Sequence, residues 1–118
     1  MHVLLIVAHG SKRTASNEEI AKIAHTLEQR LEKKFAKVNY ALLEFSPPTI
    51  GNALDDAFTH GAQQVTVLPY FIAAGKHVGK DIPQAISNAM EHWPDKEIHL
   101  KEHIGAHEGM LDLLESAC

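Results

Sequence analysis

Apolar positions along this chain fall into four short runs, each followed by a stretch with helical spacing. Val3 to Ala8 is continuous rather than alternating, the pattern of a strand covered on both faces. Ile20, Ile23, Ala24, Leu27 and Leu31 then share one helical face, and Ser16 and Glu19 have capping-box spacing, which predicts a helix from about Asn17. A second strand is expected from Lys37 to Leu43. Ser46 and Pro47 then read as the cap and first turn of a helix that turns Ile50, Ala53, Leu54, Ala57 and Phe58 inward and stops at Gly61. Val65 to Leu68 is the third strand. A long loop leads to a helix opened by Pro83 and running to about Glu91, then a short strand from Ile98 to Leu100 and a last helix from Glu108 to Ser116. Strands alternating with helices, with no linker or repeat, predict an α/β fold in one module over residues 1–118: a four-stranded parallel sheet with right-handed crossovers and helices on both faces.

In such sheets the ligand sits beyond the carboxyl ends of the strands. His9 follows the first strand, Glu44 the second, His77 lies in the loop after the third, and His103 and His107 follow the fourth, so all five are expected along one edge. The loop Pro69–Pro83 is the strongest segment. It is apolar at Tyr70-Phe71-Ile72, flanks His77 with Gly75 and Gly79, and is long for so small a domain, as functional loops are. Two imidazoles and a carboxylate make a borderline-soft, open set suited to Co2+, Ni2+, Fe2+ or Zn2+. His9, His77 and Glu44 are the candidates for that set. A site with few, labile ligands suits an ion that is handed on, so the metal is expected as substrate and no permanently bound cofactor is expected.

Composition adjusts this reading in a few places. The net charge of −4 argues against general nucleic-acid binding. No apolar run approaches the ~20 residues of a membrane span, and the opening segment lacks the basic start of a signal peptide. Cys118 is the only cysteine, which excludes an intrachain disulfide and suits a cytoplasmic setting. Nine histidines are many for 118 residues and point weakly to metal chemistry. Lys12, Arg13, Lys76 and Lys80, four of the 11 basic residues, flank the two key histidines and could draw in a polyanion.

At these residues the chain resembles the class II chelatases, specifically the short, single-module sirohydrochlorin cobaltochelatases. The resemblance rests on Ala8-His9-Gly10-Ser11, Leu43-Glu44-Phe45-Ser46-Pro47 and Gly61-Ala62. It continues through Pro69-Tyr70-Phe71, Gly75-Lys76-His77, Asp81-Ile82-Pro83 and Ile104-Gly105-Ala106-His107. It implies ATP-independent insertion of Co2+, or of Ni2+, into sirohydrochlorin, with the metal on His9 and His77 and Glu44 assisting. The tetrapyrrole is expected against Ser11, Lys12, Arg13, Tyr70, Phe71, Gly75, Lys76 and Lys80. Longer relatives fuse two such modules around a cleft, so a single module implies a homodimer. The histidine-rich tract of some short relatives is absent.

Two other classes remain in view. A cobalt or nickel carrier would use the same histidines without insertion, but it would not need the apolar Tyr70–Ala74 stretch. A histidine-dependent phosphoryl-transfer enzyme would place an arginine before His9, where this chain has Ala8.

Overall fold

A computed structural model describes all 118 residues. Its elements in chain order are β1 (His2–Ala8), α1 (Thr14–Arg30), β2 (Lys37–Leu42), α2 (Ile50–Thr59) and β3 (Gln64–Pro69). A π-helical turn (His77–Asp81) then runs into α3 (Ile82–His92), followed by β4 (Glu97–Leu100), a 3-10 turn (Ile104–Ala106) and α4 (Met110–Ala117). The strands form one sheet in the order β2-β1-β3-β4, every pair parallel.

The continuous apolar run of β1 has a direct structural cause. Successive strand side chains point to opposite faces, and both faces of β1 are covered. Val3, Leu5 and Val7 pack into the larger core with α2 and α3. Leu4 and Ile6 pack into the smaller one with Ala24, Phe35 and Val38 on the α1 side. Leu5 and Ile6 are each only 1% exposed. Each such side chain contributes about 1.5–3 kcal/mol by burial, against about 1 kcal/mol for a helix cap. The apolar pattern therefore dominates the fold, and the helix ends are set by weaker local interactions.

Those ends are where the sequence reading is corrected. Helix α1 begins at Thr14, with Arg13 in the cap position and no side-chain cap, so Ser16 lies inside its first turn. The stabilising contact comes from Asn17. Its Oδ1 accepts from the Ser11 N–H at 3.0 Å and its Nδ2 donates to the Ser11 carbonyl at 2.9 Å, while Ser11 Oγ accepts from the Arg13 N–H. Ser46 does not cap α2 either. Pro47 precedes Pro48, and a residue before proline is steered away from helical backbone. The helix starts at Ile50 instead, with Thr49 Oγ1 accepting from the Asn52 N–H. Gly61 does end α2. At φ 103° it donates to the Phe58 carbonyl and Ala62 donates to that of Ala57, the paired bonds of a Schellman motif.

Helices do lie on both faces, but unevenly: α1 covers one, α2 and α3 the other. The final helix covers neither, and none of its residues is buried. No helix is long and apolar enough to cross a membrane.

Candidate metal centre

The chain leaves β1 toward α1 on one face and leaves β3 toward α3 on the other, so the order β2-β1-β3-β4 opens a crevice between the carboxyl ends of β1 and β3. His9 stands on one side of that crevice and His77 on the other. Their ring centroids are 4.8 Å apart with planes at 61°. Glu44 is carried in by an extension of the β1–β2 pairing, in which the Leu43 N–H donates to the Ala8 carbonyl and the Glu44 N–H to that of His9. Gly10, at φ 91°, passes so close to the Glu44 carbonyl that a Cβ would overlap it, so this turn needs glycine.

His9, Glu44 and His77 each offer one ligand atom, all within 4.8 Å of one another. At metal–nitrogen distances near 2.1 Å, tetrahedral ligand atoms stand about 3.4 Å apart, so closure on one ion draws the most separated pair together by about 1–1.5 Å. The tautomers favour a cation. His9 Nδ1 lies 3.1 Å from the Gly10 carbonyl, which can only accept, so the proton belongs on Nδ1. That turns the Nε2 lone pair toward Glu44 Oε2 at 3.3 Å. Two acceptors face each other there unless a proton or a metal ion lies between them. His77 is set the same way. Its Nδ1 is 2.7 Å from Asp81 Oδ2, which fixes the proton on Nδ1 and leaves Nε2 free.

The backbone around His77 is shaped for this. Residues His77–Asp81 form a π-helical turn, in which the Ile82 N–H reaches the His77 carbonyl, and such turns gather at functional sites. It also sets His77 and Asp81 one above the other. Exposed aromatic and apolar groups crowd the same edge. Phe45 is 57% exposed at φ 72°, a conformation bulky residues adopt only under constraint, and its ring lies 6.2 Å from that of His9. Ile72 is 70% exposed.

The other expected residues are distributed as follows. Tyr70 and Ser11 line a cavity of about 280 Å3 beside His9. Phe71 is half-buried, its ring 6.4 Å from that of His77. Lys12, Arg13, Lys76 and Lys80 are exposed and none is in an ion pair; Lys12 Nζ stands 5.5 Å from the Phe45 ring. Gly75 is exposed, and a Cβ there would meet nothing within 4 Å, so its backbone does not demand glycine. His103 and His107 do not join the cluster. They line a separate groove on the α1 side with Leu4, Phe35 and Thr66, because the chain after β4 turns to that face. The largest cavity, about 540 Å3, lies along the β2 edge between α1 and α2 and holds none of the three clustered groups. The sequence reading missed Asp81 and Phe45 as site residues. For Asp81 the available signal was its spacing of four from His77 in a loop that runs into a helix.

Known proteins resemble this chain in sequence and in fold. A sirohydrochlorin cobaltochelatase from Methanocaldococcus jannaschii is 38% identical over 86 residues, which is 73% of this chain and 59% of that protein. The chain thus spans about three fifths of the length of that relative. A CbiX protein from Marinobacter aquaeolei has a crystal structure that superposes with a TM-score of 0.80 at 26% identity, covering 99% of this chain and 93% of that one. The sirohydrochlorin chelatase SirB from Bacillus subtilis, solved in complex with cobalt, superposes with a TM-score of 0.86 at 23% identity, covering 98% of this chain and 48% of that one. The CbiX family pattern matches residues 3–118. The chain belongs to the CbiX family.

Proposed function

We propose that this protein inserts a divalent metal ion, Co2+ first and Ni2+ second, into sirohydrochlorin without ATP. The observation that carries the reading is the convergence of His9 Nε2, His77 and Glu44 on one point of the sheet edge, with the His9 lone pair facing a carboxylate. The relative from Methanocaldococcus jannaschii bears the same activity in its name, which supports it. In this reading the ion is a substrate in transit, held by His9 and His77, and there is no resident cofactor. The openness of the cluster supports transit, since His9 and Glu44 keep 46% and 45% of their side-chain surface exposed. Insertion exchanges the ion for two pyrrole N–H protons. His9 and Glu44 are the acceptors, the imidazole being the side chain suited to proton exchange near neutrality.

The macrocycle would lie against Tyr70, Phe71 and Gly75, with Ser11 at its edge and its carboxylates toward Lys12, Arg13, Lys76 and Lys80. The unpaired state of all four cations supports that placement. A cavity of about 280 Å3 is below the range of ordinary ligand sites, so one module offers only one wall, and a homodimer supplies the other. SirB, of which this chain covers 48%, supports the need for two such halves. A cytoplasmic site of action suits a chain whose only cysteine is Cys118, and neither nucleic acid nor membrane is a partner in this reading.

The test is to add the purified protein to sirohydrochlorin with Co2+, Ni2+, Fe2+ or Zn2+ in turn and follow the absorption change of metallation. Acceleration over the protein-free rate, greatest with Co2+, is expected. Tight Co2+ binding with no acceleration would overturn insertion and leave the carrier reading.

A further inference from the structure

Two parts of the molecule are unfinished, and each has what the other lacks. Helices pack 8–10 Å apart and strands about 4.8 Å apart, so a four-stranded sheet takes two helices on each face. The face that carries α2 and α3 has its two. The opposite face has only α1, which covers β2 and β1. Over β3 and β4 that face is left as a groove of about 520 Å3, floored by Leu4, Phe35, Thr66 and Leu68, with Lys34 and Lys101 on its rim. Glu102 is the one carboxylate lining it.

Helix α4 is the converse. Met110, Leu113, Leu114 and Ala117 form an apolar stripe at i, i+3, i+4 and i+7. Yet Leu111, Leu113 and Leu114 are 76%, 61% and 51% exposed, and the main neighbour of α4 is the turn at Ile104–Ala106. Its charge complements the groove. Glu108, Asp112 and Glu115 are acidic, and no lysine or arginine occurs from Glu102 to Cys118. The helix cannot readily fold back onto its own groove. Gly105 donates to the Phe71 carbonyl and is wedged against the Ile72 backbone, and only His107–Gly109 separate its turn, Ile104–Ala106, from α4. Those three residues are already set by His107 Nδ1 accepting from the Gly109 N–H and by the Met110 N–H donating to the His107 carbonyl.

We infer that α4 of one copy docks into the Lys34–Lys101 groove of a second copy, and reciprocally, completing the missing helix of each sheet. The exchange is self-complementary, as a two-fold dimer requires. It rests on the homodimer reading above and names the surface that forms it.

Sedimentation velocity on the full chain tests both, and separately. The wild type is expected to be a dimer, and Leu113→Glu with Leu114→Glu to weaken it about tenfold or more while keeping the fold, since both leucines are exposed in the single copy. Lys34→Glu with Lys101→Glu should weaken it comparably, as should Asp112→Lys with Glu115→Lys. Mixing those two charge-reversed proteins should restore the dimer, because each helix then meets a groove of opposite sign. A wild-type dimer that the leucine changes leave untouched would overturn the docking and spare the dimer. A mixture no stronger than its components would overturn the reciprocal exchange. A wild type that is monomeric at every concentration would overturn the dimer and the docking together.

Discussion

Both ends of this sheet carry paired histidines, and their surroundings differ in kind. At the carboxyl end, His9 and His77 each commit Nδ1 to an acceptor, and each offers a ligand atom within 4.8 Å of the other and of Glu44. At the amino end, His2 and His99 lie 6.2 Å apart, but each turns Nε2 to side chains of the sheet itself, that of His99 also 3.7 Å from Glu97 Oε2. His2 Nε2 is 2.7 Å from Thr66 Oγ1, and His99 Nε2 is 3.2 Å from Gln64 Oε1. The His2 ring packs edge-on to Phe35 at 4.8 Å. An imidazole whose Nε2 is bonded to side chains of the sheet is structural material. Imidazoles that hold their free nitrogens toward one another are a site. The excess of histidine in the sequence therefore does not mean a single thing.

The sharpest way to break this contrast is to remove an imidazole from each end. His9→Ala and His77→Ala are each expected to lower metal insertion by about 100-fold or more, with melting temperature nearly unchanged because these side chains are partly exposed. Glu44→Gln should cost less, about tenfold. His99→Ala should leave turnover at the wild-type level. Equal loss from His9→Ala and His99→Ala would erase the distinction between the two ends.

The second effect concerns what fixes His77. If the Asp81 carboxylate holds the Nδ1 proton and so frees Nε2, Asp81→Ala should raise the Co2+ dissociation constant about 10- to 100-fold. Asp81→Asn, whose amide oxygen still accepts, should fall between Asp81→Ala and wild type. Calorimetric titration with Co2+ reads this directly, independent of turnover. Wild-type affinity in Asp81→Ala would reduce the His77–Asp81 bond to a brace for the turn.

The carboxyl-end half of this contrast is legible in the sequence, and the His2–His99 half is not. The continuous run Val3–Ala8 fixes β1 as a strand covered on both faces, and the topology of parallel sheets then brings His9, Glu44 and His77 to one edge. Three features were not legible, each because it depends on a contact between separate segments. The start of α1 is set by Asn17 reaching back to Ser11, which no local cap pattern encodes. The separation of His103 and His107 from the metal cluster depends on which face the chain takes after β4. The exposure of α4 has no local signal at all, since its apolar stripe looks the same whether it packs within the chain or outside it.

A smaller effect sharpens the contrast in charge. Lys12 and Lys76 stand unpaired beside the carboxyl-end cluster, while the chain as a whole carries −4. Such charges act on encounter more than on bound affinity, and salt screens them over about 10 Å at 0.1 M. Lys12→Ala with Lys76→Ala should lower kcat/KM for the tetrapyrrole about three- to tenfold at low salt, with Co2+ affinity nearly unchanged. Added salt should slow the wild type more than the double variant. An identical salt response would make these residues ordinary surface charge.

The smallest expected effect belongs to the amino end and concerns stability. His2 is held below its ordinary value of 6.5, first by burial and then by the positive charges of His99 and Lys34, with Glu97 opposing. A histidine that resists protonation when folded is protonated more readily in the unfolded chain. As pH falls below about 6.5, the unfolded state therefore takes up the proton first, and stability present above that pH is lost. His2 is only half-buried, so the loss should be modest. Between about pH 7.5 and about pH 5.5 the wild type should lose about 1–2 °C more in Tm than His2→Gln, which keeps a polar partner for Thr66 but does not titrate. Scanning calorimetry of the two proteins at both pH values gives the comparison. Because other titrating groups are common to both, only the difference counts. If the two curves fall in parallel, His2 contributes nothing to the acid sensitivity of the fold, and the amino-end pair is packing without electrostatic consequence.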